Sequence, residues 1–263
     1  MPRDRLLAKT GPFGCHVFVH RFDNLEDYFV YLIQLDQPLP ETWTKYYLHS
    51  GGKPNSSPGD GMLSTDPPGD EPPDRYAYDP ADPTPDAAFE NGHIDGPRDV
   101  RASAARSDVL VYTTTPLEQE VEVVGPITAK LFAATSARDT NWMVRLIDVY
   151  PDGYAAFLCE GVMRARHRDP QRDGAFVPDR LSVIEPEQVY PYTIEFWRAT
   201  GNLFAEGHRI RVEISSSYFP YYLPNLNTGA DNVGLETKLV VARQTIRHDR
   251  DHPSHVLLPV IPR

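Results

Sequence analysis

The segment at 207–220, GHRIRVEISSSYFP, constrains the fold of this chain more than any other stretch. Its apolar residues Ile210, Val212 and Ile214 alternate with charged or polar ones. Successive side chains of a β-strand point to opposite faces, so the alternation predicts a half-buried strand of an antiparallel sheet. The strand is expected to end before Pro220, because proline has no backbone N–H to donate to a neighbouring strand.

The same pattern recurs beyond residue 100, without convincing helical periodicity between the repeats. Strands are predicted at 109–114, 120–124, 127–134, 142–150, 155–164, 192–197, 209–215 and 239–247. Residues 149–154, VYPDGY, predict a hairpin turn, since proline presets one turn angle and glycine accepts the left-handed conformation. Short strands at close spacing indicate an all-β sandwich or jelly roll.

Turn-forming residues dominate the region before residue 100. A strand predicted at 42–50 ends at Gly51 and Gly52, which permit the positive φ angles of a turn. Residues 51–99 are expected to form a long Pro/Gly/Asp-rich loop lying on the sheet surface, held by the rest of the domain or by a partner.

Residues 1–42 are harder to interpret. Apolar patches at 15–22 and 28–35 fit either strands or short helical pieces. The longest apolar run is too short to span a bilayer, and residues 1–14 lack the apolar core of a signal peptide.

Charge and cysteine content exclude several classes of protein. The chain of 263 residues has 26 Lys and Arg against 37 Asp and Glu, a formal charge of −11. That charge disfavours nucleic acid and anionic membranes as partners. Cys15 and Cys159 form neither a CxxC motif nor a disulfide framework, which favours a reducing compartment, with cytoplasm as the expected location.

Residues 108–153 and 207–220 together resemble the C-terminal domain of one serine-hydrolase family. This CocE/NonD family includes X-Pro dipeptidyl-peptidases, cocaine esterase, cephalosporin acylases and α-amino-acid ester hydrolases. The resemblance runs from about Trp43 through YYLHSGG at 46–52 and YAYDPADPTP at 76–85 to SHVLLPVIP at 254–262.

The resemblance implies a jelly-roll β-sandwich of galactose-binding-domain-like fold at 43–263. In the full-length enzymes this domain packs against an α/β-hydrolase domain and a helical cap, and it helps to wall the active site. The nucleophile and the acid sit in the α/β domain. Residues 1–42 match weakly, either as a degenerate segment or as a remnant of the end of a hydrolase domain, with His16 near the position of the family's catalytic histidine.

The sequence lacks the nucleophile elbow of such enzymes. That elbow needs Gly-x-Ser-x-Gly, because small residues must flank the strained serine, and no such pattern occurs in these 263 residues. A histidine without serine or carboxylate cannot run acyl transfer. The chain alone is therefore expected to be inactive, with no catalytic, cofactor-binding or metal-binding residue assigned and no cofactor.

His248, His252 and His255, in HDRDHPSH, offer nitrogen ligands for zinc or another transition metal. A polar connection before the last strand is the preferred interpretation, because spacing alone does not make ligands converge. The same holds for the pair His16 and His20.

Carboxylates offer a second candidate metal site. Asp79, Asp82 and Asp86, or Asp231 with Glu236, present hard oxygen ligands to calcium. Without EF-hand spacing, solvated turn residues are the preferred interpretation.

Ser50 and Lys53 fit the pattern Ser-x-x-Lys, whose chemistry places the lysine one helical turn from the serine. The two intervening glycines predict a turn instead.

Aromatic residues supply a candidate platform for a sugar or a partner domain. They are Trp142, Trp197, Tyr218, Phe219, Tyr221 and Tyr222. Core packing is expected for Trp142 and Phe219, and surface exposure for the three tyrosines beside the prolines.

Three functional hypotheses follow. The leading one is an accessory jelly-roll domain of a serine hydrolase of acyl esters or amides, packing on a hydrolase partner or associating with itself. The alternative is a carbohydrate-binding module, since the same topology commonly presents sugar sites. The third is a hydrolase with an unrecognised site, such as the histidine cluster with a metal.

Overall fold

The computed structural model describes residues 6–10, 16–20, 43–90, 93–94, 97–168, 182–197, 200–230 and 237–262. Within these ranges the chain forms β-strands, and the helical pieces are two 3₁₀ turns. Strand β1 (Leu6–Thr10) pairs antiparallel with β2 (His16–His20). The apolar patch at 15–22 is therefore largely a strand, whereas the patch at 28–35 lies outside the described residues.

Fifteen further strands follow. They are β3 (Thr44–His49), β4 (Met62–Ser64), β5 (Asp74–Tyr78), β6 (Phe89–Glu90), β7 (His93–Ile94), β8 (Leu110–Thr113), β9 (Val121–Gly125), β10 (Thr128–Thr135), β11 (Asn141–Val149), β12 (Ala155–Arg164), β13 (Tyr190–Glu195), β14 (Thr200–Phe204), β15 (Arg209–Ser215), β16 (Ala242–Arg247) and β17 (His255–Leu258).

Eleven of these strands form two layers of a jelly-roll β-sandwich. The first layer has the order β12-β11-β15-β8, and the second has the order β3-β17-β10-β16-β5, with β13 paired to β10. Strand β4 joins the layers: it pairs antiparallel with β3 and touches β8 at Met62 and Thr113. Strands β9 and β14 form a separate pair.

One hydrophobic core fills the space between the two layers. Val144 of β11 and Val212 of β15 meet Leu131 of β10 and Val256 of β17 there, and all four are fully buried. Strands of the second layer have one solvent face, and β5 alternates strictly between buried and exposed residues. This alternation is the burial pattern expected of an antiparallel sheet facing water on one side.

The first layer differs, because both of its faces are buried. All nine residues of β11 and six of the seven in β15 are buried. Its outer face is covered by residues 79–90 and 97–108, here called the cover segment, which places Ala88 and Val100 against Ile147 and Phe157. The expectation that β15 is only half-buried was wrong, because on its polar face Ser215 lies against Thr84 of this segment and Arg211 lies against Thr113 of β8.

Turn predictions agree well with the structure. The predicted hairpin joins β11 to β12, with Gly153 at φ +88° and the Tyr150 N–H donating to the Tyr154 carbonyl at 2.8 Å. Gly52 has φ +97°, which confirms the turn after β3 and the turn between Ser50 and Lys53.

Two segments differ from their predicted structure. The region at 51–99 contains strands as well as loop, because β5 completes the free edge of β16. The strand predicted at 239–247 begins only at Ala242.

Candidate functional site

A polar cluster lies where the ends of β3 and β16 meet the start of β5. Ser50 follows β3, His248 follows β16, and Asp74 opens β5. His248 and Asp74 are fully buried, and Glu71 reaches the cluster from the loop before β5. A hydroxyl, an imidazole and carboxylates thus converge, so their hydrogen bonds decide whether they can attack a carbonyl.

His248 is held between two carboxylates. Its Nδ1 lies 3.1 Å from Glu71 Oε2, and its Nε2 lies 2.8 Å from Asp74 Oδ2. Burial alone would lower the pKa of His248, but the hydrogen bond and charge of Asp74, followed by those of Glu71, raise it above its ordinary value. Each ring nitrogen therefore faces a carboxylate, an arrangement that favours the protonated imidazolium over the neutral ring.

The Ser50 hydroxyl is directed at a carboxylate. The Ser50 Oγ donates to Asp74 Oδ1 at 2.5 Å. His248 Nε2 lies 3.3 Å from Ser50 Oγ. Nucleophilic catalysis by serine requires its proton to pass to an adjacent general base, most often a histidine. Here the Ser50 proton points at Asp74, so the three groups form a hydrogen-bonded, ion-paired link between the ends of β3, β5 and β16.

A second serine and histidine pair shares Glu71. His49 Nδ1 lies 2.7 Å from Glu71 Oε1, and His49 Nε2 lies 3.3 Å from Ser64 Oγ, which resembles the order of contacts in a triad. However, Nε2 is 3.0 Å from the Asp66 carbonyl oxygen, so it is a donor there. Ser64 Oγ in turn accepts the Asp66 N–H at 3.1 Å. Both ring nitrogens of His49 are thus engaged by neighbouring oxygens.

Sequence reasoning missed both arrangements. Ser50 and His248 are 198 residues apart, and neither Glu71 nor Asp74 stands in a recognisable motif. Only the pairing of distant strands brings them together.

The predicted histidine cluster does not converge. While His248 is bonded to Glu71 and Asp74, His252 Nδ1 lies 3.0 Å from Asp249. His255 Nδ1 donates to the Pro253 carbonyl at 2.6 Å, and its ring packs on Tyr47. The described part of the chain contains no group of three or more acidic, histidine or cysteine side chains arranged to hold a metal. The side chains of His16 and His20 are outside the described residues.

The acidic candidates for calcium also separate. Asp79 Oδ1 accepts the Ala81 N–H at 2.9 Å, as a turn residue does. Asp82 pairs with Arg106 at 3.2 Å, and Asp86 with Arg145 at 2.7 Å. Asp231 and Glu236 lie outside the described residues.

The first layer carries a row of charges beneath the cover segment. Arg145 of β11 stands opposite Glu160 of β12 and Glu213 of β15 in the strand register. The Arg145 guanidinium donates to Glu160 and to Asp86 at 2.7 Å each. Its central carbon lies 3.3 Å from the centroid of the Tyr218 ring. Buried charges are tolerated when they are paired in this way.

Glu213 is the weakly paired member of this row. Neither of its carboxylate oxygens has a hydrogen-bond partner among the described residues, and Arg211 Nη1 is 3.9 Å away. Burial raises the pKa of Glu213 to about 7, although the charges of Arg211 and Arg145 oppose the rise.

The aromatic candidates divide differently from expectation. Trp142 is fully buried, which confirms its predicted place in the core. Tyr218 is buried and Phe219 is 42% exposed, so both of these expectations were wrong. The reason is that the Tyr218 ring covers Arg145, which turns the next residue outward. Tyr221 is 41% exposed, as predicted for a surface residue.

These observations define an all-β sandwich in which, among the described residues, both serine–histidine contacts are tied to carboxylates or a backbone carbonyl. No helix within the described ranges is long and apolar enough to cross a membrane. Residues 34–257 match the family model of the X-Pro dipeptidyl-peptidase C-terminal non-catalytic domain. The chain belongs to that family.

The chain is similar in sequence to a curated esterase and in structure to several solved hydrolases. Cocaine esterase of Rhodococcus sp. (strain MB1 Bresler) is 42% identical over 262 residues, which cover 97% of this chain and 43% of that protein. An aminopeptidase structure from a marine sediment Thaumarchaeota archaeon has a TM-score of 0.74 at 27% identity, covering 88% of this chain and 39% of that one.

An α-amino acid ester hydrolase structure has a TM-score of 0.71 at 26% identity, covering 83% of this chain and 36% of that one. The chain thus spans less than half the length of these relatives. The expected jelly-roll sandwich and membership of this hydrolase family are confirmed.

Proposed function

We propose that this chain is the β-sandwich that supports the catalytic domain of an ester or amide hydrolase by packing against it. The match to a non-catalytic family domain carries the proposal, together with similarity to less than half of each longer relative. Within the fold, the buried ion pairs of Arg145 stabilise the first layer, and the cluster of Ser50, Asp74 and His248 links the ends of β3, β5 and β16.

The isolated chain is proposed to be inactive. Purified chain should leave p-nitrophenyl esters and X-Pro p-nitroanilides at their buffer rates of hydrolysis. Turnover that follows the protein peak through successive columns would overturn this part of the proposal.

Support of a catalytic domain is testable by grafting. The matched region of the Rhodococcus cocaine esterase is replaced by this whole chain, and turnover of a p-nitrophenyl ester is measured. We expect an active, soluble graft, because the two sequences are 42% identical across the exchanged region. A soluble graft without turnover would contradict the supporting role.

We also propose a cytoplasmic location. Cys159 is a free, buried thiol, and burial raises its pKa to about 12, so it is suited to packing and not to disulfide exchange. Such a thiol fits a reducing compartment.

A further inference from the structure

Four aromatic rings form a continuous row on the surface of the sandwich. Ring centroids lie 5.7 Å apart between Phe89 and Tyr221, 4.8 Å between Tyr221 and Tyr222, and 6.2 Å between Tyr222 and Trp197. Trp197 is 67% exposed. These four residues are called the aromatic row below.

The sequence around Tyr221 and Tyr222 of the aromatic row has no charged residue over a long stretch. Phe219 and Leu223 beside it are 42% and 72% exposed. Residues 214–228 contain no charged side chain, although 24% of the chain is charged. Protein interfaces are enriched in aromatic residues and depleted of charge at their centre. Monomers rarely leave a contiguous apolar patch uncovered, so a protein surface is the occupant that this composition fits.

The ring geometry does not suit a saccharide. Successive rings of the aromatic row are inclined to each other by 49°, 86° and 57°. A sugar ring stacks on a flat aromatic face, and neighbouring rings turned this far do not share a plane.

The aromatic row is anchored to the buried charge row beneath it. The backbone N–H of Trp197 donates to the backbone carbonyl of Glu160 at 3.1 Å, and the backbone N–H of Tyr222 donates to the backbone carbonyl of Tyr218 at 3.0 Å. The Tyr218 ring itself lies on Arg145. Rings held on a rigid base lose little conformational entropy on binding, which favours affinity.

We propose that the aromatic row is the surface by which this domain docks on the catalytic hydrolase domain. This inference rests on the function proposed above. The relatives supply the occupant: cocaine esterase matches almost all of this chain with 43% of its own length, so more than half of that protein lies outside the matched region. A second copy of this chain is a less suitable occupant, because two chains of charge −11 repel each other.

The test compares two double variants in the graft described above. Trp197→Ala with Tyr221→Ala removes two rings of the row. Met62→Ser with Leu203→Ser is the control, since these side chains are 51% and 41% exposed on β4 and β14. The measured quantities are the half-life of ester turnover at a fixed elevated temperature and, for the ungrafted chains, the Tm and the mass by light scattering.

We expect the aromatic variant to shorten the half-life of the graft by roughly tenfold or more, as loss of interface anchors does, while the Tm of the ungrafted chain changes by no more than about 2 °C. The control should stay close to the parent graft. If the double variant does not fold alone, Trp197→Ala replaces it and the same comparison decides.

Three outcomes would overturn the inference. If the parent graft is active and the aromatic variant matches the control, the docking surface is wrong while the supporting function stands. If the ungrafted chain is a dimer that Trp197→Ala and Tyr221→Ala dissociate, the occupant is a second copy. If the parent graft is soluble without turnover, the proposed function fails and the docking surface fails with it.

Discussion

Glu213 provides a quantitative test of the buried charge row. Its carboxylate is fully buried, and burial raises its pKa to about 7 from an ordinary value of 4.5. In the unfolded chain the group titrates near its ordinary value. Between about pH 4.5 and about pH 7 the folded state therefore keeps a proton that the unfolded state has lost.

The sign and size of the effect follow from this difference. Because the folded pKa is the higher one, the free energy of unfolding falls as the pH rises through this interval, and the whole penalty is present above about pH 7. At about 1.4 kcal/mol for each pKa unit, the penalty is about 3 kcal/mol. Glu213→Gln keeps the shape of the side chain and removes its titration.

Urea unfolding of the wild type and of Glu213→Gln, measured at several pH values between about 4.5 and 8, checks this reasoning. The stability of the variant relative to the wild type should increase by about 3 kcal/mol from the lowest to the highest pH. Glu195→Gln, at an exposed position on β13, is the matched control and should run parallel to the wild type. A Glu213→Gln curve that also runs parallel, within about 0.5 kcal/mol, would refute the assignment of a raised pKa.

Three further changes test other features. Arg145→Met leaves two buried carboxylates without their cation, so urea unfolding should show a loss of about 3–5 kcal/mol, and a loss below about 1 kcal/mol would contradict the pairing. Ser50→Ala should leave p-nitrophenyl ester hydrolysis at the buffer rate, as in the wild type; a wild-type turnover that this change abolishes would make Ser50 a nucleophile. Gly153→Ala places a side chain at φ +88° and should lower the free energy of unfolding by about 1–2 kcal/mol, measured by thermal unfolding. Gly69→Ala, which has open space around it and no positive φ, should lower it clearly less in the same assay.

Local sequence pattern predicts many of the strands well. The alternation at 209–215 and the apolar run at 155–164 give strands with the observed bounds. The hairpin between β11 and β12 was also predictable, because proline and glycine restrict the turn by their own covalent structure. These features depend on neighbours in sequence.

Burial of the polar face of the first layer was not predictable in the same way. Alternation assigns Arg145, Glu160 and Glu213 to one face, but it does not say what covers that face. The covering residues, such as Asp86, come from a segment whose composition predicts only turns. The exchange of Tyr218 and Phe219 has the same origin, since the side chain that attracts the Tyr218 ring lies on β11.

The serine–histidine contacts, like the burial of the polar face, were not predictable from local sequence pattern. Sequence reasoning excluded a nucleophile elbow but did not foresee that Ser50 and His248 meet. Only the structure shows that both ring nitrogens of this histidine are engaged by carboxylates, one from Glu71 and one from Asp74.

The cover segment has a practical consequence for anyone engineering this domain. By composition, residues 79–90 and 97–108 resemble a surface loop that invites shortening. Its deletion would instead expose Arg145 to solvent and remove the apolar side chains that cover Ile147 and Phe157. A stretch poor in regular structure serves here as a third layer of the architecture, and a minimal version of the sandwich has to retain it.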